Sequence, residues 1–159
     1  DIHSYCLMEN HYHLLVTERI KNGISLFMQK INMGYTKYFN NRHQRSGALW
    51  QGKYRKVLIR RDAHFLYIPF YIHLNPLDYV HPEWRKGKTR NTKEALKSLL
   101  EYRWSSHLDY FGVRNFPSII RTDVLSSILG TQTEYERTII EIIQDPILAH
   151  ESDFLEYKS

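Results

Sequence analysis

Two short apolar segments at the start of the chain constrain its fold more than any other feature. Residues 2–8 and 11–17 each have the length and apolar content of a β-strand, and only Glu9 and Asn10 separate them. A two-residue polar connection between such segments predicts an antiparallel β-hairpin. A hairpin alone is only marginally stable in water, so other parts of the chain must cover it.

A long amphipathic helix and a third strand are predicted next. Apolar residues recur at spacings of three and four from Ile24 to Phe39, and the polar stretch 40–47 ends this pattern. Residues 49–59 then have the composition of a strand with basic residues set into it.

A second helix is predicted from Asp62, its N-cap, to about Asn75, where Pro76 ends it. Pro69 should kink this helix or disturb one turn, because proline has no N–H to donate. Residues 78–93 are rich in charge, which predicts an exposed loop.

Three further helices are predicted near 94–100, 122–129 and 133–144, the second with Thr122 as its cap. Strand, strand, helix, strand, helix is the element order of the first half. This order is typical of an α+β fold in which helices cover one face of an antiparallel sheet.

The charge balance and the cysteine count indicate which binding partners and which cellular compartment suit the chain. The chain has 22 Lys and Arg against 17 Asp and Glu, an excess that suits a polyanionic partner. Its single cysteine, Cys6, excludes an internal disulfide and predicts a reducing, cytoplasmic setting. No apolar run approaches the roughly 20 residues that span a bilayer, so we expect no membrane partner.

The second strand contains a pair of histidines that could bind a metal. His11 and His13 are two residues apart, so in a strand they project from the same face. Two imidazoles at that spacing can share one divalent ion. Two ordinary strand histidines, one partly buried and hydrogen-bonded, would have the same spacing, so the pair does not decide the question.

The second helix contains a candidate nucleophile. Tyr71 and Asn75 are four residues apart and therefore share a helix face, with roughly 5–6 Å between their Cβ atoms. A buried tyrosine followed by an Asn-Pro helix stop is the structural alternative. Together with His11 and His13, however, this pair makes a coherent hypothesis: a tyrosine attacks a phosphate that a bound metal polarises.

Five basic residues stand just before the second helix and are candidate phosphate contacts. A solvated, charged strand edge would look the same. These residues are Lys53, Arg55, Lys56, Arg60 and Arg61.

Several segments resemble one known family. Residues 5–16 resemble the HUH motif (His, bulky hydrophobic residue, His) of single-tyrosine, IS200-like transposases, and residues 71–76 resemble their catalytic-helix motif. Residues 35–40, 47–54 and 102–106 look like recurrent segments of the REP-associated tyrosine transposase branch.

This resemblance implies a site and a fold. Tyr71 would be the nucleophile, and His11, His13 and Asn75 would bind Mg²⁺ or Mn²⁺. The fold would be a ferredoxin-like (RRM-like) catalytic domain over 1–112, with a helical extension over 113–159. The first strand and helix of such a domain are missing here, so we expect an upstream segment or a homodimer partner to complete the sheet.

The resemblance also implies an activity. The protein would cleave and rejoin single-stranded DNA through a covalent 5′-phosphotyrosine, at a hairpin such as an extragenic palindrome. It would be a bacterial, nucleoid-associated enzyme.

The sequence leaves three other functions open. A domesticated protein that binds DNA without cutting it could use the same scaffold. A zinc enzyme of unrelated chemistry would need a third strong ligand, and no Cys or Glu has suitable spacing. An RNA-binding module should show paired aromatic residues on central strands, where His11 and His13 stand instead.

Overall fold

The computed structural model describes residues 1–145, apart from the side chain of Ala63. Two strands, β1 (Ile2–Leu7) and β2 (Tyr12–Val16), form an antiparallel hairpin. Each strand ends within one residue of its predicted limit. In the register of the hairpin Cys6 lies opposite His13.

Helices make up most of the remaining described chain, and together with the hairpin they confirm the predicted α+β class. A 3₁₀ turn over Asn75–Tyr79 directly continues the second helix, and another covers Pro82–Lys86. The described α-helices are α1 (Gly23–Arg42), α2 (Asp62–Leu74), α3 (Thr92–Glu101), α4 (His107–Tyr110), α5 (Asp123–Leu129) and α6 (Gln132–Gln144). None of them is both long and apolar enough to cross a membrane.

The chain divides into two compact units. Unit 2 is the continuous segment Thr17–Leu58, which contains α1. Unit 1 combines Asp1–Val16 with the chain from Ile59 onward, so it holds the hairpin and the helices from α2 to α6.

One apolar core organises unit 1. Side chains from both strands and from α2, α3, α5 and α6 are buried together in it. Because α5 and α6 share this core with the hairpin, they are integral to unit 1. The predicted domain limit at 112 stays a prediction, and residues 146–159 of the proposed extension lie outside the described residues.

Strand β1 has neighbours on both edges. Beyond its pairing with β2, it makes bridges through Ile2 to Ile120 and through Cys6 to Ser105. Backbone bonds of 2.8 Å from the N–H of Leu7 to the carbonyl of Trp104 and 3.0 Å from the N–H of Ser106 to Tyr5 reinforce this edge. Within residues 1–145, the other edge of β2 has no paired strand.

The predicted strand over 49–59 is wrong. This segment forms no strand and runs irregularly to Ile59. Most of its side chains are exposed, including the apolar Val57 and Leu58. A strand needs a partner for its backbone N–H and C=O groups, and this segment pairs with no strand in the described structure.

The predicted exposed loop over 78–93 is also wrong in part. Two 3₁₀ turns overlap it, and Trp84 is fully buried in the core of unit 1. The backbone N–H of Thr89 donates to the carbonyl of Ile143 at the end of α6. Charged residues therefore line the outside of a segment whose apolar residues fold inward.

Candidate active site

The two histidines of the hairpin lie side by side, as their spacing predicts. His11 stands immediately before β2, where its carbonyl accepts from the N–H of Met8 and closes the turn. Its Nε2 lies 3.1 Å from the Nε2 of His13, and the two rings meet almost at a right angle. The two ring nitrogens therefore converge on one point.

Asn10 determines which nitrogen of His11 is available. The Asn10 carboxamide oxygen lies 2.6 Å from His11 Nδ1. Because that oxygen can only accept, Nδ1 carries the hydrogen, so the tautomer that this bond selects in the neutral ring has its lone pair on Nε2. Metal-binding histidines commonly have a second hydrogen bond of this kind, which fixes the ring and its tautomer.

His13 is held in its neutral form. Burial, together with the neighbouring His11 and Arg85, lowers the pKa of His13 to about 4. Desolvation disfavours the charged imidazolium, and nearby positive groups repel it. At neutral pH His13 is therefore an uncharged imidazole.

Helix α2 packs across the same face of the hairpin and brings Tyr71 to the histidines. The ring centroid of Tyr71 lies 5.6 Å from that of His13 in an edge-to-face arrangement. Tyr71 is only 4% exposed, because it also contacts Trp84 and Arg85. The helix runs through Pro69, which is fully buried.

Asn75, fully buried one turn after Tyr71, presents its oxygen to the site. Its Nδ2 donates to the backbone carbonyl of Tyr71 at 2.7 Å, which identifies the other end of the amide as oxygen. That oxygen accepts from Arg85 at 3.2 Å, and the Asn75 side chain is near enough to His13 to act on its pKa. The four residues that the sequence singled out are thus neighbours in the structure.

The donor atoms suit a divalent cation. Two nitrogens bound at about 2.1 Å to one ion, at an angle slightly above 90°, stand about 3 Å apart, as His11 and His13 do. Within residues 1–145, no three or more His, Cys, Asp or Glu are grouped so that they could hold a metal ion. A third protein ligand would therefore be the Asn75 oxygen, and water or substrate oxygens would complete the shell that Mg²⁺ or Mn²⁺ prefers.

The site also contains residues that the sequence analysis did not assign to it. Arg85 and Asp78 form a hydrogen-bonded ion pair beside Tyr71, and Trp84 packs between them and the core. One signal could have indicated this: a large aromatic residue within a charged segment suggests that the segment is partly buried.

A buried network of hydrogen bonds holds α2 in place through His73. His73 Nε2 lies 2.7 Å from the Ser106 hydroxyl and 3.0 Å from that of Ser4, on β1. Its Nδ1 lies 2.6 Å from the hydroxyl of Tyr135, which is also 2.9 Å from His107 Nδ1. Hydrogen bonds to both ring nitrogens of His73 leave α2 little freedom to rotate or slide along the sheet.

The five basic residues proposed as DNA contacts are all exposed, but they belong to different units. Lys53, Arg55 and Lys56 lie on the irregular segment of unit 2, and Arg60 and Arg61 lie in unit 1 just before α2.

Comparison with known proteins gives one match. Residues 1–75 match the family model described as Transposase IS200 like. This match supports a relationship of the chain to the IS200-like transposase family. The matched region contains His11, His13, Tyr71 and Asn75 and ends before Asp78 and Arg85. No curated protein and no solved structure matches the chain.

Proposed function

We propose that this protein is a metal-dependent, single-strand DNA transposase that cuts and rejoins DNA through Tyr71. One observation supports this most: His11, His13 and Asn75 surround the tyrosine, inside the region that matches IS200-like transposases. A buried tyrosine with a purely structural role would not need two converging imidazoles beside its ring.

The proposed reaction replaces one phosphodiester bond with another. The Tyr71 oxygen attacks phosphorus, and the bond from phosphorus to the 3′ oxygen of the preceding nucleotide breaks. The phenol loses its proton and the departing 3′ oxygen gains one, so the products are a 5′-phosphotyrosine and a free 3′ hydroxyl. The new ester conserves the energy of the old bond, which allows rejoining by attack of a 3′ hydroxyl.

The protein's own residues would orient this reaction. His11, His13 and Asn75 would hold Mg²⁺ or Mn²⁺, which when bound polarises the phosphate and neutralises charge in the transition state. Helix α2, fixed by the hydrogen bonds of His73, keeps the phenol in place on the hairpin side. Burial of Tyr71 limits the access of water, which would otherwise hydrolyse the phosphotyrosine.

We infer that unit 2 supplies most of the attraction for DNA. It contains nine Lys and Arg residues but only one acidic residue, Glu18. Exposed Tyr35 and Tyr38 on α1 offer flat faces on which unpaired bases could stack, with Trp50 against Tyr35.

The substrate would be a hairpin with a single-stranded flank, as for the REP-associated branch, in the nucleoid of a bacterial cell. The protein would act alone or as a homodimer.

The decisive experiment compares wild type with Tyr71→Phe. We expect wild type to form a covalent protein–DNA adduct on a labelled hairpin oligonucleotide with Mg²⁺ or Mn²⁺, and Tyr71→Phe to form none. Because the substitution removes a single hydroxyl, binding to the same oligonucleotide should change less than about threefold. A denaturing gel measures the adduct, and fluorescence anisotropy measures the binding.

Two controls make this experiment specific. Tyr67→Phe, one turn earlier on α2, should keep the adduct, whereas His11→Ala or removal of metal with EDTA should abolish it. Adduct formation by Tyr71→Phe would identify another nucleophile. If wild type binds the hairpin but forms no adduct under any of these conditions, the protein is a DNA-binding protein that does not cut.

A further inference from the structure

Arg85 is held against the candidate nucleophile by a set of contacts that fixes its guanidinium group in advance. Asp78 accepts two hydrogen bonds from it, 2.8 Å from Nε and 2.6 Å from Nη2. The guanidinium lies over the ring of Trp84 at 4.8 Å, and Trp84 Nε1 donates to the same Asp78 at 2.7 Å. Bidentate pairing and stacking together leave Arg85 few alternative rotamers.

The other side of this guanidinium faces the proposed reaction centre. Nη2 donates to the oxygen of Asn75 at 3.2 Å, and the positive charge of Arg85 lies against the Tyr71 side chain. The guanidinium carbon lies 5.6 Å from the centre of the Tyr71 ring. Arg85 therefore contacts both the candidate nucleophile and the third candidate metal ligand.

A purely structural ion pair does not account for this arrangement. Asp78 and Arg85 could connect the two 3₁₀ turns without any contact to Tyr71. A cation that is permanently charged, half-buried and packed against the ring of a phenol is positioned to meet an anion that arrives at that phenol.

We propose that Arg85 is a catalytic residue that binds a non-bridging oxygen of the phosphate under attack by Tyr71, and that Asp78 and Trp84 are its positioning residues. This inference rests on the proposed function. When phosphorus bonds to the Tyr71 oxygen and the bond to the 3′ oxygen breaks, negative charge accumulates on the non-bridging oxygens. Arg85 stabilises that charge on one of them and stays bound to the same oxygen in the phosphotyrosine product.

The test is the single-turnover rate of adduct formation by Arg85→Lys. Lysine keeps the charge but cannot pair with Asp78 and reach the phosphate in the same planar geometry. Loss of one preorganised donor to a developing oxyanion typically lowers the rate by about 100- to 1,000-fold, and we expect a loss in that range. Arg137→Lys is the matched control, because it makes the same substitution in an exposed Arg–Glu pair on α6 and should leave the rate unchanged.

A second measurement separates catalysis from structure. Sulfur in place of one non-bridging oxygen, in each of the two phosphorothioate diastereomers, should slow the wild type more with one diastereomer than with the other. In Arg85→Lys, sulfur at the oxygen that Arg85 binds should slow the reaction no more than sulfur at the other oxygen. A defect in folding cannot remove this difference between the two diastereomers. If Arg85→Lys does not fold, as judged by circular dichroism, Arg85→Gln and Asp78→Asn take its place in both measurements.

The possible outcomes distinguish this inference from the proposed function. If wild type forms an adduct that requires Tyr71, and the folded Arg85 variants keep both its rate and its diastereomer preference, the role of Arg85 is wrong and the proposed function stands. If wild type forms no adduct, the proposed function fails first, and the role of Arg85 fails with it.

Discussion

At the scale of single residues, burial rather than sequence neighbours determines the protonation of several histidines. Burial lowers the pKa of His107 to about 4, and burial together with His107 lowers the pKa of His73 well below its usual value. Both rings are linked through the hydroxyl of Tyr135 in the interior of unit 1. Their neutral forms are thus part of the folded structure.

This burial predicts that the protein loses stability in mild acid. Below pH 6.5 the unfolded state takes up protons that the folded state cannot accept until about pH 4. The pKa of His107 alone implies a loss of up to about 3 kcal/mol in the free energy of unfolding as the pH falls from 7 to 4. Urea denaturation at several pH values measures this loss of stability.

The variant His107→Gln isolates that contribution. It is expected to be less stable at pH 7, because it leaves a poorer fit in the core, but its stability should fall less steeply with acid. If the free energy of unfolding falls equally steeply with pH in the variant and in wild type, other groups cause the acid sensitivity.

At the scale of elements, the position of α2 depends on helices that are distant in sequence. Helix α6 contributes Tyr135, whose hydroxyl holds His73 on α2. The start of α6 is fixed by a capping box, in which Thr131 accepts from the N–H of Glu134 and the Glu134 carboxylate accepts from the N–H of Thr131. Both bonds satisfy N–H groups that would otherwise be unpaired at a helix start.

Loss of this cap should therefore weaken unit 1. Thr131→Ala is expected to lower the free energy of unfolding by about 1 kcal/mol, equivalent to about 3 °C in Tm for a chain of this size. Thr133→Ala, two residues later and also exposed, removes a similar hydroxyl without removing the cap and should cost less. Thermal denaturation followed by circular dichroism compares the two, and equal shifts would contradict a capping role.

At the scale of the whole molecule, the positive charge is distributed unequally. Unit 2 has nine basic residues and one acidic residue, whereas the rest of the chain has thirteen basic and sixteen acidic residues. The overall excess of positive charge therefore arises entirely from Thr17–Leu58. A long-range attraction for a polyanion would act mainly on this segment.

The charge distribution predicts which residues determine the salt dependence of DNA binding. The triple substitution Lys53→Ala, Arg55→Ala, Lys56→Ala should weaken binding to single-stranded DNA. If all three contact phosphates, the slope of log affinity against log salt should become less steep by about 2. Anisotropy titrations from low to moderate salt measure this slope.

As a control, a second triple substitution removes three positive charges from unit 1. Lys97, Arg121 and Arg137 are exposed and each lies near an acidic partner. Their replacement by alanine should leave the slope nearly unchanged. An equal loss in both triple variants would mean that net charge, and not this segment, controls binding.

Sequence alone determined the local features of the site. The alternation of a strand places His11 and His13 on one face, and the helical repeat places Tyr71 and Asn75 on another, whatever the rest of the chain does. The hairpin, most helix limits and the α+β class also follow from local periodicity. The strand over 49–59 did not form, because a strand requires a partner that local composition cannot reveal.

Only the tertiary structure decided what surrounds Tyr71. The ion pair of Asp78 and Arg85 reaches the tyrosine because Trp84 is buried and draws a charged segment inward. The hydrogen bonds of His73 depend on Ser106 and Tyr135, which are 33 and 62 residues away in sequence. Such contacts arise from the packing of one shared core, and no spacing along the chain encodes them.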